Sequence, residues 1–485
     1  MNKATDIIGN KKIVFAWTVF HWANSAYSLV ICSAIFPIYF TAVTSLNDKH
    51  DTRFLGFIMN ADSLQTYAIS FAFLIIAALN PLLSSIADYT GKKKRFMYFF
   101  STLGALSCSM LYFFKGIETI SIGVLGAIFA AIGFAGSVVF YYSFLPEIAK
   151  PENQDKVSAR GFAMGYTGSS LLLIFNLLMI QFPDYFFDVS GKMSALIAAT
   201  PSLLHDDALK QVRDFYSGPA SRIAFLTVGI WWFAFAQYTF YYLPNNIYNK
   251  KPAAGKYLLN GYKELRKVWG QVKHTKRLKR FLISFFFYNM GCQTVLYVAT
   301  LFGYSELHLP KAVLIGLILL IQFVAAGGAF LFSFLSKKLG NLNALTIAII
   351  IWMLVVAAAY FDNKKYGVDE QTVFIIIAGF VGLVMGGIQA ISLSTYSKLL
   401  PKTTDHASFF SFYDVCDKTG IVFGTFMFGL INELTGDMRN SIMVLLVFFI
   451  IGLIALLSIP SNEKSYRRRD CLGKIEGNIN INLDN

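Results

Sequence analysis

The sequence predicts an all-α membrane protein of twelve transmembrane helices in two pseudo-symmetric six-helix bundles. Three observations predict it. Hydrophobic residues make up 55% of the 485 positions and charged residues only 14%, with 47 Phe, more than one soluble core would bury. Twelve apolar stretches recur along the chain, most of them about as long as a bilayer-spanning helix needs to be. Lys and Arg alternate between connections, 30 in one set and 11 in the other, with Lys418 left inside a span. The richer set includes both termini, so both are predicted cytoplasmic. That topology also explains the net charge of +14 better than nucleic-acid binding does. Five cysteines stand without metal-ligand or redox spacing and read as small packing residues, Cys471 lying in the tail.

In chain order the spans are 13–45, 64–86, 96–114, 120–142, 161–180, 223–243, 281–302, 313–335, 344–360, 373–396, 408–430 and 441–459. The first is too long for a signal-peptide core and no small-x-small cleavage site follows it, so it is read as a helix. The predicted units are an N-terminal bundle 1–244, a cytoplasmic amphipathic basic linker 245–280, a C-terminal bundle 281–460 and a cytoplasmic tail 461–485. In the linker, Leu258, Tyr262, Leu265, Trp269 and Val272 recur at helical spacing among Lys263, Arg266, Lys267 and Lys273. This pattern predicts a helix lying on the inner leaflet, in preference to a calmodulin-type or RNA-binding segment. Leu145-Pro146 and Leu400-Pro401, each after the fourth span of its half, suggest an internal repeat. Nothing in the outer loop 181–222 identifies a domain or a ligand.

Several polar groups interrupt the spans. Span 1 carries Thr18, His21, Asn24, Ser25, Ser28 and Cys32 at steps of three or four, one helical face that either binds neighbouring helices or lines a path. His21 is either a proton-exchanging group, by its ordinary pKa near 6.5, or a neutral core histidine. Span 7 aligns Asn289, Gln293, Tyr297 and Thr300, amides suited to a zwitterionic or polar solute. Gly379, Gly382, Gly386 and Gly387 in span 10, beside Gln389, permit close helix packing. In span 11, a rise of ~1.5 Å per residue places Asp414 ~9 Å and Lys418 ~15 Å deep in a core about 30 Å thick. A charge there costs at least roughly 2.5–3.5 kcal/mol, so these groups must face the protein interior or water.

Span 2 ends in Ser84-Ser85-Ile86-Ala87-Asp88-Tyr89-Thr90-Gly91-Lys92-Lys93-Lys94-Arg95. Gly91 permits a tight reversal, the cations favour the inner side, and Asp88 is expected to pair with a cation or cap the next helix. The stretch resembles the major facilitator superfamily signature between spans 2 and 3, with a worn copy at 333–340 where Lys337 takes the acidic position. A closer resemblance is to the autophagy-related vacuolar amino-acid effluxer and its bacterial relatives. It rests on Trp22-Ala23-Asn24-Ser25-Ala26-Tyr27, Phe36-Pro37-Ile38-Tyr39-Phe40, Leu145-Pro146-Glu147-Ile148-Ala149, Tyr288-Asn289 with Gly291 and Gln293-Thr294, and Tyr413-Asp414-Val415 with Lys418.

That resemblance implies a major facilitator fold and transport, with amino acids as the implied solute class. It also implies that spans 1 and 7 face each other across a central cavity. The chain departs from the family pattern at His21 and Met290, where the family often has Asp, and at Asp417, where glycine is expected. Proton coupling through those two acids therefore does not carry over. Asp414 and Lys418 read as a pair biasing which side is open, so that Asp414→Asn and Lys418→Met should each do more harm than the double change. Asp417 becomes the first carboxylate to test for solute or proton binding.

The predicted function is secondary active transport of a small polar solute by alternating access. The alternatives are a membrane-embedded enzyme using the span 11 cluster and a nontransporting receptor. The solute and ion pathway is assigned to His21, Asn24, Ser25, Asn289, Gln293, Asp414, Asp417 and Lys418, and the conformational switch loop to Asp88, Gly91, Lys92, Lys93 and Arg95. No P-loop or metal-binding cluster is present in the sequence, and no catalytic residue, metal or cofactor is assigned. The expected partners are a small-molecule solute, a coupling proton or cation and the lipid bilayer, without nucleic acid. The chain is expected to act as a monomer in a bacterial cell (inner) membrane.

Overall fold

The computed structural model describes residues 7–47, 50–200, 204–250, 257–305, 307, 309, 311–360, 369–435 and 438–460. The predicted tail 461–485 and the side chains of Leu258, Tyr297 and Thr300 lie outside the described residues. Twelve long helices form two halves. The first half holds α1 (Lys11–Thr44), α2 (Ala61–Thr90), α3 (Lys93–Met110), α4 (Ile120–Ser143), α5 (Pro151–Gln181) and α6 (His205–Tyr242). The second holds α7 (Lys276–Ser305), α8 (Lys311–Leu339), α9 (Asn341–Tyr360), α10 (Glu370–Leu399), α11 (His406–Thr435) and α12 (Met438–Leu457). Ten of the twelve are long and apolar enough to cross a membrane; α7 and α11, which carry the polar groups singled out above, are the other two.

Local chemistry fixes the helix ends. Asn60 accepts hydrogen bonds from the backbone N–H groups of Asp62 and Ser63 and so caps α2, which also has Asp62 in its positive first turn. Gly91, at φ +67°, ends the same helix in the left-handed region. Within α1, residues Tyr27–Ile35 form a π-helix, and the Ser33 hydroxyl donates to the Ser28 carbonyl five residues back. Pro37 just beyond it has no N–H to return to the preceding turn, which weakens the α-helical ladder there.

Three departures from the sequence reading occur. A β-hairpin, β1 (Asp51–Phe54) paired with β2 (Phe57–Asn60), stands between α1 and α2, so the chain is not wholly α-helical. α6 begins at His205, well before the expected 223, because the polar start of the helix carries acids in its first turn and buries Ala208 and Val212. Part of the outer loop is therefore ordered: it also holds the helix Val189–Ala199, and Arg213 pairs with Asp184 at 2.9 Å. Finally, the linker helix Tyr257–His274 splits the predicted stripe, part of which packs against the bundle while part stays exposed. Val268 and Val272 are buried together with Gly261, whose Cα lies close to Ile86 of α2, while Tyr262 and Trp269 stay exposed. At Gly261 the helix docks closely on α2, where a Cβ would fall 2.5 Å from Ile86 Cγ1.

The span 10 glycines let α8 and α10 approach closely. A Cβ on Gly386 would fall 1.9 Å from the Ala325 carbonyl oxygen, whereas one on Gly379 would meet nothing within 4 Å. Gly386→Ala should therefore lower the melting temperature of the purified protein, at about 1–3 kcal/mol for overpacking, while Gly379→Ala should be neutral or slightly stabilising. Equal melting temperatures for the two variants would contradict the close packing.

Candidate functional site

A cavity of ≈ 260 Å³ lies between the halves and takes its walls from α1, α2, α4, α5, α7, α8, α10 and α11. Its polar lining includes His21, Ser25, Gln293, Gln322, Asp417 and Lys418. A second cavity of ≈ 80 Å³, inside the second half, is walled only by apolar side chains such as Leu314, Phe374 and Phe428, and offers no polar chemistry.

The α11 charges are arranged differently from the expected pair. The Lys418 ammonium lies 2.5 Å from Asp417 Oδ2 and 3.8 Å from Asp414 Oδ1. Asp417 also accepts from Asn289 at 2.7 Å and Gln293 at 3.2 Å, both on α7. Asp414 is instead held by Asn80 of α2, whose Nδ2 donates to Asp414 Oδ2 at 2.8 Å. Asn80 draws one carboxylate toward the first half and leaves Lys418 to the other. The i,i+4 spacing of Asp414 and Lys418 therefore does not make them the closest pair. The Phe73 ring lies 5.5 Å from the Lys418 ammonium.

His21 lines the cavity but is almost buried, with its Nδ1 3.2 Å from the Ser25 hydroxyl and its ring centroid 4.5 Å from that of Phe162. Its Nε2 has no hydrogen-bond partner among the described residues. Of the eight residues assigned to the pathway, His21, Ser25, Gln293, Asp417 and Lys418 line the cavity. Asn289 and Asp414 stand behind the wall and support it, whereas Asn24 is fully buried and does not line it. The π-segment explains part of this: each π turn holds an extra residue, so Ser28, Leu29, Cys32 and Ser33 all reach the cavity, a wider arc than α-helical spacing predicts.

The end of the bundle that carries the basic connections is closed. Asp88 accepts from the backbone N–H groups of Ala407 and Ser408, at 3.3 and 2.7 Å, and from the Ser408 hydroxyl at 2.8 Å. A carboxylate of the first half thus caps the N-terminus of α11 in the second, not that of α3 as expected from sequence. It meets orphan donors and the positive end of the helix together. Beside it, the Lys93 ammonium pairs with Glu147, which lies 3.0 Å from His406 Nδ1. Asp155 of α5 accepts from Lys398 at 2.7 Å, from Asn341 at 2.8 Å and from Ser336 at 2.9 Å. The acid missing from the worn loop at Lys337 is therefore supplied across the interface by α5.

Linker residues Lys250 and Lys267 reach Asp405, immediately before α11, at 2.8 and 3.2 Å. Burial pushes the Asp405 carboxyl up, but the hydrogen bond from Lys250 and the two ammonium charges hold it below the usual carboxylate range. In the switch loop, Gly91 makes the turn and Lys93 is buried in the Glu147 pair, whereas Lys92 and Arg95 are exposed. Glu147, His406, Asp155, Lys398, Asn80 and the cavity tyrosines Tyr142 and Tyr166 were not assigned from sequence. Only Glu147, inside the Leu145-Pro146-Glu147 stretch, carried a signal that could have found it.

The profile of the family described as "Vacuole effluxer Atg22 like" matches residues 9–468. The chain is 29% identical over 462 residues to "Uncharacterized MFS-type transporter YxiO" of Bacillus subtilis, covering 94% of this chain and 97% of that protein. It is 25% identical over 450 residues to "Autophagy-related protein 22" of Saccharomyces cerevisiae, covering 83% and 78%. Among solved structures, the major facilitator superfamily transporter FucP in its outward conformation is similar with TM-score 0.62 at 11% identity, covering 93% and 99%. The human organic anion transporter MFSD10 is similar with TM-score 0.62 at 10% identity, covering 92% and 99%. These last two likenesses are of fold.

Proposed function

We propose, for a chain that belongs to the Atg22-like vacuole effluxer family, secondary active transport of a small polar solute, with an amino acid favoured. The chain is a multi-pass transporter of the major facilitator superfamily and not an enzyme. The single observation that carries the finer reading is the cavity shared by both halves, with a carboxylate, an ammonium and amides on its wall. Asp417 and Lys418 complement the ammonium and carboxylate of a zwitterion, and Gln293 can donate and accept beside them. The Bacillus relative favours a bacterial cell membrane as the location, and we place the chain there as a monomer.

Placing the basic end in the cytoplasm, as the distribution of Lys and Arg favours, puts both termini inside and makes this conformation outward-facing. Asp88, Gly91, Lys92, Lys93 and Arg95 then form the switch loop that closes the inner side. Flux of radiolabelled amino acids into or out of liposomes containing only this protein tests the reading. Saturable flux, lost in Asp417→Asn, is expected. Absence of flux for every amino acid, with lipid turnover by the same vesicles, would overturn it.

A further inference from the structure

The cluster on α11 leaves one buried charge uncompensated. Lys418 lies against Asp417, and those two charges cancel. Asp414, only 3% exposed, has one neutral amide donor, Asn80, and shares the Lys418 ammonium, 3.8 Å away, with Asp417. Two carboxylates sharing one ammonium at this depth leave a net charge that is costly to bury. Asp414, Asp417 and Lys418 together carry −1, so one added monovalent cation would bring them to neutrality.

The face of α2 that meets Asp414 carries buried oxygen atoms without hydrogen-bond partners among the described residues. Asn80 is fully buried, and because its Nδ2 is bonded to Asp414, its Oδ1 lies on the same amide beside that carboxylate. Yet Oδ1 has no hydrogen-bond partner among the described residues. Ser84, one turn further along α2 on the same face, is also fully buried and its hydroxyl is likewise unpartnered. A buried polar atom without a hydrogen bond is costly, so a ligand that meets it is favoured. A neutral amide oxygen, a hydroxyl and a carboxylate are hard oxygen ligands suited to an alkali cation, and too few in charge for a divalent one.

We propose that Asp414, with Asn80 and Ser84, holds a monovalent cation of sodium size at the seam between α2 and α11. The site spans both halves, so occupancy would tie the cation to the relative position of the halves. It supplies the coupling ion that the transport reading requires, and in that respect rests on it. A proton on Asp414 is the rival occupant. The groups facing it are Lys418, Asp417 and Cys416 from α11, Asn80 from α2 and Tyr142 from α4.

The test uses the full chain in detergent without solute, its thermal stability being followed in NaCl, KCl or choline chloride at fixed pH and ionic strength. A saturable rise in melting temperature is expected with sodium and not with the other two salts. Asp414→Asn and Asn80→Ala should raise the half-effective sodium concentration at least tenfold, and Ser84→Ala should raise it less. Lys418→Met should lower it, because it leaves a second negative charge beside the site; a merely structural role would not produce that inversion, and this variant carries the test should Asp414→Asn fail to fold. Equal responses to all three salts, an undiminished sodium response in Asp414→Asn, or stabilisation that follows pH alone would overturn the site. A sodium response without solute flux would overturn the transport reading only, and flux with no sodium response would overturn this site only.

Discussion

Replacing Lys418 with methionine is expected to abolish solute flux and to lower the stability of the purified protein by about 3–5 kcal/mol, the usual cost of removing one partner from a buried ion pair. Lys418 is 5% exposed and its ammonium stands between two carboxylates. Without it, Asp417 loses the nearest of its three partners and keeps only the amides of Asn289 and Gln293. The double variant Asp417→Asn/Lys418→Met removes the unpaired charge with its partner and should recover most of the lost stability, though not transport. Sequence spacing pointed to Asp414 as the compensating residue. The geometry points to Asp417, so Asp414→Asn/Lys418→Met should recover less. Melting temperatures of the three single and two double variants check this through their coupling energies. Equal recovery by both doubles would return Asp414 to the role of principal partner.

Asp88→Asn is expected to have the second large effect, on conformation more than on folding. The carboxylate accepts three hydrogen bonds at the start of α11, two of them from backbone N–H groups that no intrahelical carbonyl can satisfy. Loss of its charge at the positive helix end and weakening of its hydrogen bonds should cost the closed basic end about 1–3 kcal/mol, which is roughly a factor of 5–150 in the equilibrium between the two open states. Cys32 lines the cavity and reports on its opening. In a Cys471→Ser background, a membrane-impermeant maleimide added from the outer side should label Cys32 several-fold more slowly in Asp88→Asn. An unchanged rate would show that Asp88 does not hold this end shut.

The helical layout was readable because a bilayer imposes a length and a polarity on every span. The alternation of Lys and Arg, which requires no contact between residues, supplied the expected orientation. What could not be read were pairings between segments distant in sequence. Asp88 and Ser408 are 320 residues apart and Asn80 and Asp414 are 334 apart, and no local pattern encodes such a meeting. Asn80 illustrates the difficulty, since an amide in an apolar span looks the same whether it holds a neighbouring helix or a charge. Asn24 is the converse case. It fell on the correct helical face by α-helical counting, yet it is buried away from the cavity. The early start of α6 was missed because its residues are polar, and the hairpin because strands of four residues are too short for hydropathy to signal.

The π-segment of α1 carries a consequence for how chain length is tolerated. A stretch of wider turns is what an α-helix becomes when it absorbs extra residues without breaking, so Tyr27–Ile35 holds slack that the flanking α-helical turns lack. Removing one residue there would let the segment relax toward ordinary α-helix, and the helix could survive the deletion. The two ends of α1 would then be rotated against each other, swinging Trp17 and His21 relative to Phe36 and Phe40. Insertions and deletions, which are ruinous in most membrane helices, would in this one re-index the cavity wall, making chain length itself a variable through which solute preference could diverge among relatives.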